Sequence, residues 1–150
     1  MRTLEGGVTA PKGFRAAGVA VGIKAEGGKK DCALVVSHRL ASLAGAFTTN
    51  LMKAAPVKWT EAVCRWGKAR AVFINSGNAN SCTGPQGERD VVETAQRVAQ
   101  AIQARAEEIC VCSTGVIGVS LPPWAVSWPA WMLAPRAYRT EGAGMRPKPS

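Results

Sequence analysis

Residues 70–112 read RAVFINSGNANSCTGPQGERDVVETAQRVAQAIQARAEEICVC, and this stretch decides the fold. It opens with Arg70-Ala71-Val72-Phe73-Ile74, a short apolar run of the kind buried in a sheet. The run passes into Asn75-Ser76-Gly77-Asn78-Ala79-Asn80, where Asn and Gly favour turns and left-handed backbone. From about Pro85 to Ala104 the period changes. Val91, Ala95, Val98, Ala99 and Ile102 recur at three- and four-residue steps and make one apolar stripe of a helix. Thr83 or Gly84 offers the cap, Pro85 suits the first turn, and Glu88 and Asp90 complement the positive helix end. Ile109-Cys110-Val111-Cys112 then reads as a strand ending at Ser113-Thr114-Gly115. Strand, helix and strand in succession predict a layered α/β domain.

Upstream, Gly18-Val19-Ala20-Val21-Gly22-Ile23-Lys24 reads as a strand with Val19, Val21 and Ile23 on one face. Gly27-Gly28 turns the chain, and Cys32-Ala33-Leu34-Val35-Val36 makes a second strand. Gly45-Ala46-Phe47-Thr48-Thr49 is a shorter candidate, in which strand packing accounts for Thr48 and Thr49. Thr60 to Trp66 predicts a short helix stopped by Gly67. Downstream, residues 122–150 hold six of the nine prolines and three of the five tryptophans, so neither a helical nor a strand period survives. The expected division is a domain over 1–121 and an irregular Pro/Trp-rich tail over 122–150.

Composition narrows the function classes. At 150 residues, 47% hydrophobic and 19% charged, the chain suits one ordinary soluble domain. No apolar run approaches the roughly 18 residues that span a bilayer, and the N-terminus lacks the apolar stretch of a secretory signal. A cytoplasmic protein without a membrane partner is expected. Cys32, Cys64, Cys82, Cys110 and Cys112 are odd in number and widely spaced, against a disulfide framework. There is no CxxC pair, and the single histidine, His38, lies between Ser37 and Arg39, so no metal site is expected. Cys110 and Cys112 would share a strand face and pack as small hydrophobes. A net charge of +9 invites a nucleic-acid reading, but the clusters Lys29-Lys30 and Arg65/Lys68/Arg70 carry no interleaved aromatic stacking pattern. A solvated basic surface with no nucleic-acid partner accounts for them better.

Four segments, in order, resemble the ornithine acetyltransferase (bifunctional glutamate N-acetyltransferase) family. They are Gly6-Gly7-Val8-Thr9-Ala10-Pro11-Lys12-Gly13-Phe14; Ala46-Phe47-Thr48-Thr49-Asn50 with Lys53-Ala54-Ala55-Pro56-Val57; Asn75 through Gly84; and Cys112-Ser113-Thr114-Gly115-Val116-Ile117-Gly118. The resemblance covers about residues 5–121. It implies the N-terminal part of the α chain in the ornithine acetyltransferase/DmpA-like self-processing fold. Family precursors cut themselves, and the new N-terminal threonine of the β chain is the nucleophile. The implied reaction moves acetyl from N-acetylornithine to glutamate in arginine biosynthesis, in some members also from acetyl-CoA, with no other cofactor and in an α2β2 assembly. Beyond Leu121 the family continues as an amphipathic helix, whereas this chain has Pro122-Pro123-Trp124. The expectation is a fragment without the nucleophile and inactive alone. A β-aminopeptidase-type hydrolase and a small basic non-catalytic binding domain stay open as alternatives; the string Asn75–Gly84 speaks against the first.

Within this frame the candidate catalytic residues are Thr114 and Gly115. A hydroxyl and an unhindered backbone N–H after a strand can meet one acyl oxygen, and the matching Thr-Gly of the family forms its oxyanion hole. One such donor is worth about 3–4 kcal/mol of barrier. From the residues alone a strand-ending turn is the better reading, since Ser-Thr-Gly is a common loop tripeptide. Asn75 to Asn80 can line a pocket or hold the Thr114 loop, and turn chemistry favours holding. Lys12, Arg15 and Lys53 can attract a carboxylate, although single basic residues on loops are usually just solvated. Thr48-Thr49 has no base beside it. Gly84-Pro85-Gln86-Gly87 is not a phosphate cradle, because no GxxxxGK[ST] occurs.

Overall fold

The structure, a computed structural model, describes residues 7–24 and 28–122. Phe14–Val19 (β1), Cys32–Ser42 (β2), Lys68–Asn78 (β3) and Ile109–Val116 (β4) form one sheet in the order β1-β2-β3-β4. The first two pairings are antiparallel and the third is parallel. A parallel pair needs a crossover, which the helix Gly84–Ile102 (α2) supplies. A second helix, Ala55–Trp66 (α1), lies between β2 and β3 in the chain. The expected α/β fold class holds.

Alternation along the strands decides where the core forms. Leu34, Val36, Ala71, Phe73, Ile109 and Val111 project from one sheet face onto Val91, Ala95, Val98 and Ala99, the predicted stripe of α2. Full burial of a side chain such as Leu34 or Phe73 stabilises by about 1.5–3 kcal/mol. α1 adds a smaller cluster of Val63, Ala69 and Cys110, with Val72 against it, and of these Cys110 and Val72 lie on the sheet face away from α2. Ala33, Val35 and Ile74 on that face are half-buried and join no hydrophobic cluster among the described residues.

The structure moves several expected boundaries. β1 ends at Val19, because residues 21–24 turn their N–H groups onto Asp31 and Gly22 adopts φ 89°. Residues 45–49 form no strand. Thr48 and Thr49 are exposed in irregular chain, where the Thr48 hydroxyl accepts the Asn50 N–H and the Asn50 side-chain Oδ1 accepts the Met52 N–H. α1 begins at Ala55, since Pro56 suits a first turn, and stops at Gly67 (φ 78°) as expected. Asn75 to Asn78 continue β3 instead of looping free, and β4 runs through Ser113-Thr114-Gly115 to Val116. Cys110 is buried but Cys112 is exposed, so the two do not share a packing role. α2 stops at Ile102, and Gln103 takes left-handed backbone at φ 55°. The expectation for the tail falls, after Pro122, outside the described residues, as does Gly27 of the predicted turn.

Candidate functional site

Among the described residues β4 is an edge strand, and α1 covers only its first half. The Trp59 indole Nε1 donates to the Ile109 carbonyl at 2.8 Å. The Thr60 hydroxyl donates to the Val111 carbonyl at 2.8 Å and accepts the Val111 N–H at 3.0 Å, standing in for a fifth strand. In a ladder, alternate residues turn their main-chain groups to alternate sides. Ile109 and Val111 thus face outward. Val116, whose carbonyl accepts the Ala79 N–H at 2.9 Å, still faces the sheet at the strand's end. The same alternation directs the Ser113 N–H outward, past the point where α1 covers the edge, and Gly115 follows at φ 135°, paired with Gly77.

Side chains follow the other alternation. Ile109 and Val111 enter the α2 core, so Cys110, Cys112 and Thr114 lie on the opposite sheet face. Thr114 is exposed, and its hydroxyl takes part in no hydrogen bond among the described residues. The corner therefore offers an unengaged hydroxyl at Thr114, between an outward N–H at Ser113 and the backbone of Gly115.

Two glycines make this corner. Gly77 and Gly115 pair across β3 and β4 with φ of 111° and 135°, backbone that side chains rarely adopt. A Cβ on Gly115 would lie 2.6 Å from the Asn78 nitrogen, and one on Gly77 would lie 2.8 Å from Ile23 Cγ2. Asn78 faces both Thr114 and Val116, a local bulge that re-aims the strand end.

The buried asparagines hold this geometry. Asn75 Nδ2 donates to the Asn78 carbonyl at 2.8 Å, and Asn78 Nδ2 donates to the Val119 carbonyl at 2.7 Å. Asn78 Oδ1 accepts the Asn80 N–H at 2.8 Å, while Asn80 Nδ2 donates to the Gly87 carbonyl at 2.9 Å. The Thr83 hydroxyl donates to Asn80 Oδ1 at 2.7 Å instead of capping α2. These bonds let Asn80 keep φ 44° and join β3, the start of α2 and the chain after β4. Of the two roles expected for Asn75 to Asn80, this is the holding one.

The candidate cations do not gather at the corner. Lys12 precedes β1 and Arg15 lies on it, at the sheet edge opposite β4. Lys53 bonds Glu61 at 2.8 Å. Burial, reinforced by neighbouring Cys64 and Cys112, pushes the Cys110 thiol up to about 12, so it packs and does not react. No group of three His, Cys, Asp or Glu among the described residues is placed to hold a metal ion. No helix among them is long and apolar enough to cross a membrane.

Sequence reasoning missed Thr60 and Asp31. Asp31 is 3% exposed and accepts four consecutive backbone N–H groups, from Val21 to Lys24. Its only local signal is an acidic residue at the entrance to an apolar strand.

Fold and corner together define a class: an α/β protein with a glycine-built corner and an unengaged hydroxyl at the end of a parallel strand. The chain belongs to the ArgJ family, whose model matches residues 15–130, a span that runs past Leu121 into the Pro/Trp-rich stretch. It is similar to the arginine biosynthesis bifunctional protein ArgJ of Caldanaerobacter subterraneus subsp. tengcongensis, 51% identical over 122 residues, which are 81% of this chain and 30% of that protein. The ArgJ of Symbiobacterium thermophilum is 54% identical over 128 residues, 85% of this chain and 32% of its own length. Among solved structures, it is similar to the ornithine acetyltransferase of Mycobacterium tuberculosis complexed with ornithine. That likeness has a TM-score of 0.78 at 50% identity and covers 85% of this chain and 67% of that one. The ArgJ protein of Bacillus halodurans gives 0.75 at 36% identity, covering 81% and 63%. The chain spans about a third of the length of the curated relatives it matches.

Proposed function

We propose that this chain is the part of a glutamate N-acetyltransferase that stabilises the oxyanion, with Thr114 and Gly115 as donors. The observation that carries this reading is the second half of β4, which α1 leaves uncovered and where the unengaged Thr114 hydroxyl adjoins the side-chain-free backbone of Gly115.

Acetyl transfer passes twice through a tetrahedral centre: first as a nucleophile takes acetyl from N-acetylornithine, then as the amine of glutamate removes it. Each time the carbonyl oxygen gains negative charge. Donors already fixed in place meet that charge without reorganising, which is why they lower the barrier more than water would. The Gly77 contact and the asparagine network supply the fixing. By family resemblance the nucleophile is the threonine that begins a β chain after self-cleavage, with its own α-amine as base. It would come from sequence beyond this chain. N-acetylornithine and glutamate are the proposed substrates, acetyl-CoA a further acetyl donor, and a cytoplasmic α2β2 assembly the working form. The similarity to relatives named for arginine biosynthesis supports the substrate class.

The deciding experiment is Thr114→Ala in a full-length precursor. The turnover number should fall by roughly 10²-fold with little change in KM, the signature of a donor that acts in the transition state. An unchanged turnover number would reduce Thr114 to a turn residue and end the reading. The 150-residue chain alone should not turn over N-acetylornithine and glutamate. Turnover by the pure chain would mean that the nucleophile lies within it.

A further inference from the structure

The buried Asp31 carboxylate gathers a whole loop. Its Oδ1 accepts the Val21 N–H at 2.7 Å, and its Oδ2 accepts those of Gly22, Ile23 and Lys24 at 2.9, 2.7 and 3.2 Å. The main chain of Asp31 completes the tie. Its N–H donates to the Val19 carbonyl at 2.9 Å, and its carbonyl accepts the Ser76 N–H at 2.7 Å, one residue before Gly77. Hydrogen bonds to an ionised acceptor are the strong kind, and four of them define the loop's position closely.

The loop, in turn, lies on the site. Ile23 Cγ2, the Ile23 carbonyl carbon and Lys24 Cγ occupy the space that a side chain on Gly77 would need, at 2.8, 3.3 and 3.3 Å from it. Ile23 also packs against Leu121, in the segment that leaves β4. On its other side the Gly77 backbone fills the space above Gly115. Loop, Gly77 and Gly115 are thus three stacked layers with no side chain between the last two.

We propose that Asp31 is a positioning residue for the acyl-oxygen site, fixing the Gly115 N–H through Ile23 and Gly77. This rests on the reading of Thr114 and Gly115 as oxyanion donors. Asp31 touches no reacting atom. It acts because a donor displaced by about 1 Å can cost on the order of 10²-fold in rate.

The test uses a full-length precursor carrying Asp31→Asn, Ile23→Ala, both together, or Thr114→Ala. Rates are expressed per active site, counted as acetyl taken up from N-acetylornithine without acceptor, so that unfolded protein does not enter. An amide cannot replace both oxygens as acceptor. Asp31→Asn and Ile23→Ala should each lower the turnover number by roughly tenfold with KM within about twofold, and the double variant should fall no further than the deeper single. Losses that multiply, or a per-site rate within about twofold of wild type in Ile23→Ala, would overturn the proposal. Should Asp31→Asn not fold, Ile23→Ala decides alone. Thr114→Ala separates the two failures. If it keeps the wild-type rate, the oxyanion reading has failed; if it loses rate while Ile23→Ala does not, only the role of Asp31 has.

Discussion

Asp31 keeps its charge inside the protein because opposing effects do not cancel. Burial pushes its pKa up, while the N–H groups of Val21, Lys24, Ile23 and Gly22 pull harder and leave it below the ordinary carboxylate value. In the unfolded chain such a group titrates near pH 3.9. The folded protein binds that proton less readily, so the stabilisation is fully present above about pH 4 and is lost as pH falls through the lower folded value. Urea midpoints followed downward from neutral pH should therefore drop below about pH 4 in the wild type and drop less in Asp31→Asn. Identical acid limbs would remove Asp31 as their source. None of this was legible in the sequence, because backbone N–H groups seven to ten residues away carry no side-chain signature. Thr114 and Gly115 were legible as chemical types. The reason position 115 excludes a side chain was not, since the obstruction is Gly77 on a neighbouring strand.

Among the elements, α2 was read almost whole because its stripe is a local period that its burial then satisfied. β3 was cut short in the reading because Asn75 to Asn78 have turn chemistry. Pairing with β4 overrode that preference, and the asparagine side chains were satisfied internally. The contact of α1 with β4 was invisible for a related reason: Thr60 looks like any polar residue in a helix until an edge strand lies beside it. Its hydroxyl satisfies both main-chain groups of Val111, itself 3% exposed. Thr60→Val keeps the shape and removes the hydroxyl, leaving a buried N–H and carbonyl unpaired. The expected cost is about 1–3 kcal/mol by urea unfolding, with faster hydrogen exchange at the Val111 amide. A loss below about 0.5 kcal/mol would mean that water replaces Thr60 at the edge.

At the scale of the fold, the described residues cover the sheet unevenly, and the uneven coverage coincides with the candidate site. α2 seals one face. On the other, Ala33, Val35 and Ile74 stay half-buried, on the side that also carries Thr114. Val116, Ile117 and Val119 beyond it are 60%, 62% and 54% exposed. Apolar surface left in water costs about 25 cal/mol per Å², and a contiguous patch of it marks a contact. The relatives are roughly three times as long, so a covering element that brings a nucleophile to Thr114 would seal this face in the same step. Purified alone, the chain should self-associate with rising concentration, read by light scattering after size exclusion. Val35→Lys and Ile74→Lys should each shift it toward monomer while leaving the circular dichroism unchanged, because a charge on this face opposes burial without entering the α2 core. Among the described residues β1 is also an edge strand, and strand pairing there is the competing route to association. Those two lysines lie on the face, not on that edge. Lysine variants that stay monomeric at concentrations where the wild type associates would therefore assign the contact to the uncovered face, and association that survives both substitutions would assign it to β1.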